Sequence, residues 1–304
     1  MKSVAILGGS GFVGEYIIDE LMESGYSVKM IKREQSASHP KAGCLEVAID
    51  LYSELLCEQL RGCDCVIYNI GIIREFPSKG ISFKGLHQDL AVHAIDMAQK
   101  AGVRKFILMT ANGVERRLTD YEKTKYKSEQ HLMSSKMQWT IFRPSVIFGN
   151  PNEKMEFCTQ VKRDMVRFPL PLPMFFSGIN IFSAGLFRVS PIHVKNVAQF
   201  FVKAIDKEDS NQEIYELGGT TSYSWREMLQ IISDACGKRK WSVPVPIGAV
   251  KLAALVFDRF NWFPVTRDQL TMLAQGNVCE SGKYYSDFNV DEITFDIENL
   301  GYLS

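Results

Sequence analysis

A chain of 304 residues exceeds the usual size of one compact domain, so a main domain with a smaller second lobe is expected. Hydrophobic residues make up 46%, ample for a core, and 35 basic residues balance 35 acidic ones without a long single-sign run, which excludes the electrostatic footprint of a nucleic-acid binder. Seven cysteines, an odd set with no signal peptide before them, point to reduced thiols in a cytosol-like compartment.

The chain enters the apolar run Val4 to Leu7 almost at once, leaving no room for a signal or transit peptide. The expected location is therefore cytoplasmic, with peripheral contact to a membrane as the one variation. Val4 to Leu7 is itself the pattern of a central parallel strand covered on both faces. A glycine-rich turn follows, and Val13, Ile17 and Leu21 then fall four apart before Gly25, which predicts a helix laying one stripe on a sheet. Strands are predicted at Val28 to Ile31 and Leu45 to Ile49. Leu51, Leu55, Leu56 and Leu60 mark a helix ending near Gly62, and Cys65 to Tyr68 is a fourth strand. Cys63 and Cys65 lack a second Cys/His pair at ligand spacing, so they are core thiols and no metal site is expected.

A helix from Phe83 to Lys100 stops at Ala101 and Gly102; Phe106 to Met109 makes strand five, a helix spans Lys123 to Ser134, and Trp139 to Phe142 makes strand six. This alternation predicts an α/β fold with a doubly wound parallel sheet of the Rossmann type. Proline, phenylalanine and glycine break the pattern after Gly149; a helix at Val194 to Ile205 and a strand at Ile214 to Leu217 resume it. The expected division is a Rossmann domain over 1–149, completed by about 190–219, and a mainly helical lobe from 150–189 and 220–304. The charge-free stretch from Phe168 to Phe187 is as long as a membrane span, but Pro169, Pro171 and Pro173 would break a helix there, so an apolar loop is expected. With the apolar face of Ile247 to Phe263 (Leu252, Leu255, Val256, Phe260) it has two readings: core of the second lobe, or a wall for a lipophilic ligand such as a quinone or for a membrane surface.

Gly8, Gly9, Ser10, Gly11, Phe12, Val13 and Gly14 join the first strand to the first helix. Gly8 suits the tight turn, Gly11 lets a pyrophosphate approach the backbone, and Gly14 lets helix and strand pack closely, while the helix N-terminus offers free N–H groups to phosphate. A dinucleotide cofactor is the implication. The second strand ends in Lys32 and Arg33, where an NAD-dedicated site carries an acid, so NADP(H) is expected with NAD(H) as the alternative; a solvated basic pair is the plain reading of the same residues. Asp50 either accepts from the adenine amino group or caps the next helix.

Together these motifs resemble the atypical branch of the short-chain dehydrogenase/reductases that contains the nucleotide-binding accessory subunit of respiratory complex I, alpha subcomplex subunit nine. The resemblance spans nearly the whole chain: Gly8 to Gly14, Ala101 to Ile107, Tyr121 to Lys125 with Glu129, Phe142 to Gly149, Ser190 to Ala198, and a C-terminal box from Phe263 to Leu270 that sets the chain apart from sugar epimerases. It implies that Tyr121 and Lys125, one helical turn apart, form the reacting pair. Thr110 takes the place of the family's substrate-holding serine, with Asn112 as second candidate; His87 stands for a helix asparagine and Asn196 for an aspartate. Asn69, Lys125 and Arg143 join the cofactor set, Arg143 and Ser145 shape the nicotinamide end of the pocket, and His193 is structural. The resemblance implies either an NADP-dependent oxidoreductase acting on a small or lipophilic carbonyl or quinone-like substrate, or a non-catalytic NADP(H)-binding accessory protein of a respiratory or quinone-pathway complex.

Overall fold

The computed structural model describes residues 1–33, 41–257 and 267–304, of which 253–257 by backbone alone. The apolar runs form strands β1 (Ser3–Leu7), β2 (Ser27–Lys32), β3 (Cys44–Ala48), β4 (Cys65–Tyr68), β5 (Lys105–Met109) and β6 (Gln138–Pro144), with Glu213–Leu217 beside β6. The strand order is Glu213–Leu217, β6, β5, β4, β1, β2, β3, and every pairing is parallel. Both faces are covered, so β4 and nearly all of β1 are buried. The order reverses at the β1–β4 boundary, where the chains leaving the two strands diverge and leave the crevice in which α/β sheets hold ligands.

Helix α1 (Phe12–Glu23) lays Val13, Ile17, Ile18 and Leu21 on the sheet; α2 (Leu55–Leu60), α3 (Leu90–Ala101) and α4 (Asp120–Met133) follow. Two starts differ from expectation. The helix foreseen from Phe83 opens with a wide π turn, Lys84–Asp89, before α3 begins. Such a turn re-aims side chains, and here it buries His87. Helix α4 starts at Asp120 rather than Lys123, because Thr119 and Glu122 form a capping box: Thr119 Oγ1 accepts from Glu122 N at 3.2 Å, and Glu122 Oε2 accepts from Thr119 N at 3.0 Å. Tyr121 is thereby fixed in the first turn.

The chain divides into two units: 1–144 with 194–217 and 283–291, and 145–193 with 218–282 and 292–304. Residues 283–291, expected in the second lobe, belong to the first unit. Phe288 explains why, with ring centres 5.4 Å from Phe200, 5.1 Å from Tyr215 and 6.4 Å from Phe142.

The second unit packs around Trp225, which lies with Phe148, Leu172, Phe175, Met228 and Leu300 in one core. The expected apolar loop is partly a strand: Leu172–Phe176 pairs in parallel with Ser242–Pro246. A two-stranded ribbon has an outer edge on each strand, where the missing N–H of Pro173 or Pro244 costs nothing. Leu172, Met174 and Phe175 are buried, whereas Phe168, Leu170, Ile179, Phe182 and Leu186 are exposed. Among the described residues no helix is long and apolar enough to cross a membrane. Leu252 is exposed; the side chains of Leu255, Val256 and Phe260, and residues 263–266 of the C-terminal box, lie outside the described residues. All seven cysteines are free thiols.

Candidate active site

At the end of β1 the backbone turns through Gly8, whose φ of +94° is the left-handed region that favours glycine; a Cβ there would stand 2.7 Å from the carbonyl carbon of Asn69. A Cβ on Gly14 would stand 2.2 Å from Gly8 O. The turn closes with Gly11 N donating to Gly8 O at 3.1 Å, and Gly11 caps α1 without any side chain on the free N–H groups. Ser10, Gly11 and Phe12 are solvent-accessible, while Val13 faces the core and offers only its backbone.

Beyond β4 the segment Asn69 to Gly71 runs past this turn. Asn69 is buried, and its Oδ1 has no hydrogen-bond partner among the described residues. A Cβ on Gly71 would lie 3.4 Å from Lys125 Nζ and 3.8 Å from His87 Nε2. One short strip of backbone therefore touches the phosphate-type turn at one end and Lys125 at the other.

Lys125 Nζ donates to Thr110 O at 3.3 Å and Met109 O at 3.4 Å, and stands 5.5 Å from the centre of the Tyr121 ring. Burial holds its pKa down to about 8, against the opposing pull of Glu129. The Tyr121 ring is met edge-on by His87 at 5.1 Å and Phe83 at 5.5 Å, and those two stack at 5.3 Å. Burial, with a smaller contribution from Glu122, raises the Tyr121 phenol above its ordinary value. Burial and then the Lys125 charge depress His87 to about 2, so the imidazole is neutral. Its Nε2 accepts from Ile72 N at 3.0 Å, which leaves the proton on Nδ1, 3.4 Å from Thr124 Oγ1.

Behind this group lies a buried network. Thr110 Oγ1 donates to Glu129 Oε1 at 2.5 Å, and Arg143 grips the same carboxylate through Nε at 3.0 Å and Nη2 at 2.7 Å. The remaining Arg143 nitrogen reaches Glu115 at 3.2 Å and Glu216 at 3.6 Å.

The NAD(P)H-binding family matches residues 8–166, about half of the chain, from the first glycine of the turn past Tyr121 and Lys125. The chain belongs to the NAD(P)H-binding family. Similar proteins include the mitochondrial NADH-ubiquinone oxidoreductase 40 kDa subunit of Neurospora crassa, 25% identical across 99% of this chain and 78% of that protein. The mitochondrial NADH dehydrogenase [ubiquinone] 1 alpha subcomplex subunit 9 of Arabidopsis thaliana is 23% identical across 93% and 70%. The UDP-glucose 4-epimerase of Thermus thermophilus, solved with NAD, superimposes with a TM-score of 0.74 at 15% identity over 99% of this chain and 97% of that one, a likeness of fold. The chain is thus an atypical short-chain dehydrogenase/reductase related to complex I subunits, as its motifs imply.

For an NAD(P)H-binding protein the residues present fit the dinucleotide. The turn has no room for a Cβ at Gly8 or Gly14, the α1 N-terminus is uncapped by side chains, and the orphaned Asn69 Oδ1 is an acceptor awaiting a donor. Several expected residues are placed differently from their foreseen tasks. Lys32 Nζ pairs with Glu46 Oε2 at 2.8 Å across β2 and β3, leaving the exposed Arg33 as the cation at the end of β2. Asp50 does not cap α2, whose N-cap is Glu54; its Oδ1 accepts from Tyr52 N at 3.0 Å in a local turn. The Thr110 hydroxyl and two of the three Arg143 nitrogens are directed at Glu129. Ser145 donates to Asn277 O at 2.9 Å and Asn196 donates to Asp291 O at 2.8 Å, while His193, read as structural, is buried edge-on against Phe148 at 5.0 Å.

Sequence reasoning placed Glu129 in the motif with Tyr121 and Lys125 but not as the shared acceptor, and it missed Phe83 as the wall of Tyr121 and Gly71 as the strip that admits Lys125. Only the helix start carried a legible signal, Thr119 three residues before Glu122.

Proposed function

We propose that the chain is an NADP-dependent oxidoreductase acting on a small or lipophilic carbonyl or quinone-like acceptor. The observation that carries this reading is the continuity of the strip Asn69 to Gly71, which abuts the glycine turn and Lys125 together, with Tyr121 one helical turn from Lys125. When bound, the dinucleotide supplies the hydride. Tyr121, kept protonated by its raised pKa, donates its phenolic proton to the acceptor oxygen, and the Lys125 charge offsets the phenolate left behind. A phenol buried this far from its ordinary acidity releases its proton at a cost, so slow turnover is expected. The choice of NADP(H) rests on Arg33 at the end of β2, where a 2′-phosphate takes a charge-assisted contact.

A second reading, a non-catalytic NADP(H)-binding accessory protein of a respiratory or quinone-pathway complex, is favoured by Thr110. Its hydroxyl, the one expected to hold substrate, is committed to Glu129. The kinship with complex I subunits supports it too.

The experiment is to release and identify any retained dinucleotide, titrate NADPH and NADH, and assay NADPH oxidation against carbonyls and quinones. NADPH binds at least tenfold tighter than NADH, about 1.4 kcal/mol, and Arg33→Ala erases most of that gap. Tyr121→Phe leaves NADPH affinity within about threefold and cuts turnover about 10²-fold or more. Equal affinities refute the NADP assignment; full activity in Tyr121→Phe refutes the catalytic one. Retained dinucleotide with no oxidation of NADPH selects the accessory reading.

A further inference from the structure

In the second unit, three large apolar side chains stand in solvent on two adjoining segments: Phe168 is 54% exposed, Leu170 60% and Trp241 69%. Their adjacency is set by backbone. Leu172 N donates to Trp241 O at 2.9 Å, and Lys240 Nζ donates to Phe168 O at 2.5 Å, so the segment entering Leu172–Phe176 lies along the segment entering Ser242–Pro246. Full burial of such side chains is worth roughly 1.5–3 kcal/mol each, a gain the fold forgoes here and a partner covering them would obtain.

The same two segments concentrate positive charge in a chain that is neutral as a whole. Residues 161–171 and 234–243 hold Lys162, Arg163, Arg167, Lys238, Arg239 and Lys240 against the carboxylates Asp164 and Asp234. The two segments are joined where Lys240 Nζ donates to Phe168 O, next to Arg167. Asp164 is consumed by a forked pair with Arg163 at 2.6 and 2.9 Å, and Asp234 accepts from Gln230 at 3.0 Å. Among the described residues, Arg167, Lys238 and Arg239 form no ion pair, and all three are exposed.

Exposed aromatic and aliphatic side chains ringed by free cations match one kind of surface. Apolar groups insert at the headgroup level, an indole sits at the boundary, and each Lys or Arg is drawn to anionic headgroups. Pro169 and Pro171 lack the N–H donors with which an added strand would pair, which disfavours a protein partner joining through its backbone. We infer that the corner formed by Arg167, Phe168, Leu170, Lys238, Arg239 and Trp241 is a docking site for an anionic lipid surface. The inference is independent of whether Tyr121 turns over.

The test is flotation of the full chain with vesicles of phosphatidylcholine alone or containing about one-third phosphatidylglycerol, at low and high salt. The protein floats with the anionic vesicles and at least tenfold less with the neutral ones, and high salt releases it. K238E/R239E weakens binding at least tenfold. F168S/L170S also weakens it, and both variants melt within about 2 °C of wild type because the altered side chains are exposed. Equal binding to both vesicle types, or unaltered binding of K238E/R239E, overturns the inference. Absence of flotation also overturns it; self-association in sedimentation that F168S/L170S abolishes then assigns the corner to a second copy of the chain.

Discussion

Replacing Thr110 by valine keeps the shape of the side chain and removes only the hydroxyl, so it isolates the bond to Glu129. That bond is buried, 2.5 Å long, and ends on a fully buried carboxylate. Hydrogen bonds to charged groups are worth about 1.5–3 kcal/mol. The lower part of that range applies, because Glu129 Oε1 keeps Arg143 Nε at 3.0 Å after the substitution and is not orphaned. The expected loss is therefore about 1.5–2 kcal/mol, or roughly 3–8 °C in the melting of a unit of this size. Differential scanning calorimetry reads it, the relevant transition being the one that NADPH raises by mass action. NADPH affinity stays within about twofold, since the hydroxyl is bonded to Glu129. A loss below about 0.5 kcal/mol, or a tenfold drop in dinucleotide affinity, refutes the assignment of Thr110 to the Glu129 network.

Glu129→Ala removes the acceptor of both Thr110 and Arg143 and is expected to cost about 3–5 kcal/mol in urea denaturation, more than Thr110→Val in the same assay. His87 has its folded pKa depressed to about 2 from 6.5, so its contribution is fully present above pH 6.5 and is lost as pH falls toward 2, when the unfolded chain takes up a proton that the folded one refuses. Denaturation at about pH 7.5 and about pH 5 then shows a loss of about 2 kcal/mol, and His87→Leu lacks that slope. Lys125, held near 8 in the folded chain, loses its charge as pH rises through that value; NADPH affinity falls above about pH 8 in calorimetric titration, and Lys125→Ala binds weakly with a flat profile. Gly14→Ala places a methyl 2.2 Å from Gly8 O, backbone against backbone, and abolishes NADPH binding at a cost of at least about 1–3 kcal/mol in stability.

Local patterning was enough for the parallel sheet, the glycine turn and the helix carrying Tyr121 and Lys125. Short apolar runs of about four to six residues bounded by glycine and polar residues favour strands covered on both faces, and glycines at Gly8 and Gly14 answer a steric demand that arises around one strand–turn–helix unit. Tertiary structure alone decided what distant side chains do. Thr110 and Arg143 share one acceptor, Glu129, because β5, β6 and α4 converge there, and no spacing in the chain announces a carboxylate that is buried only after three elements pack. Lys32 turns to Glu46 because the β2–β3 register sets Lys32 opposite Ala48, two residues along β3 from Glu46, which leaves the exposed Arg33 for the proposed phosphate contact. Residues 283–291 return to the first unit through the fit of Phe288 among Phe142, Phe200 and Tyr215, a match of shapes without a periodic pattern. Leu172–Phe176 reads as a proline-broken loop until Ser242–Pro246 lies beside it, since a ribbon edge tolerates proline and an isolated sequence cannot say where its edges are.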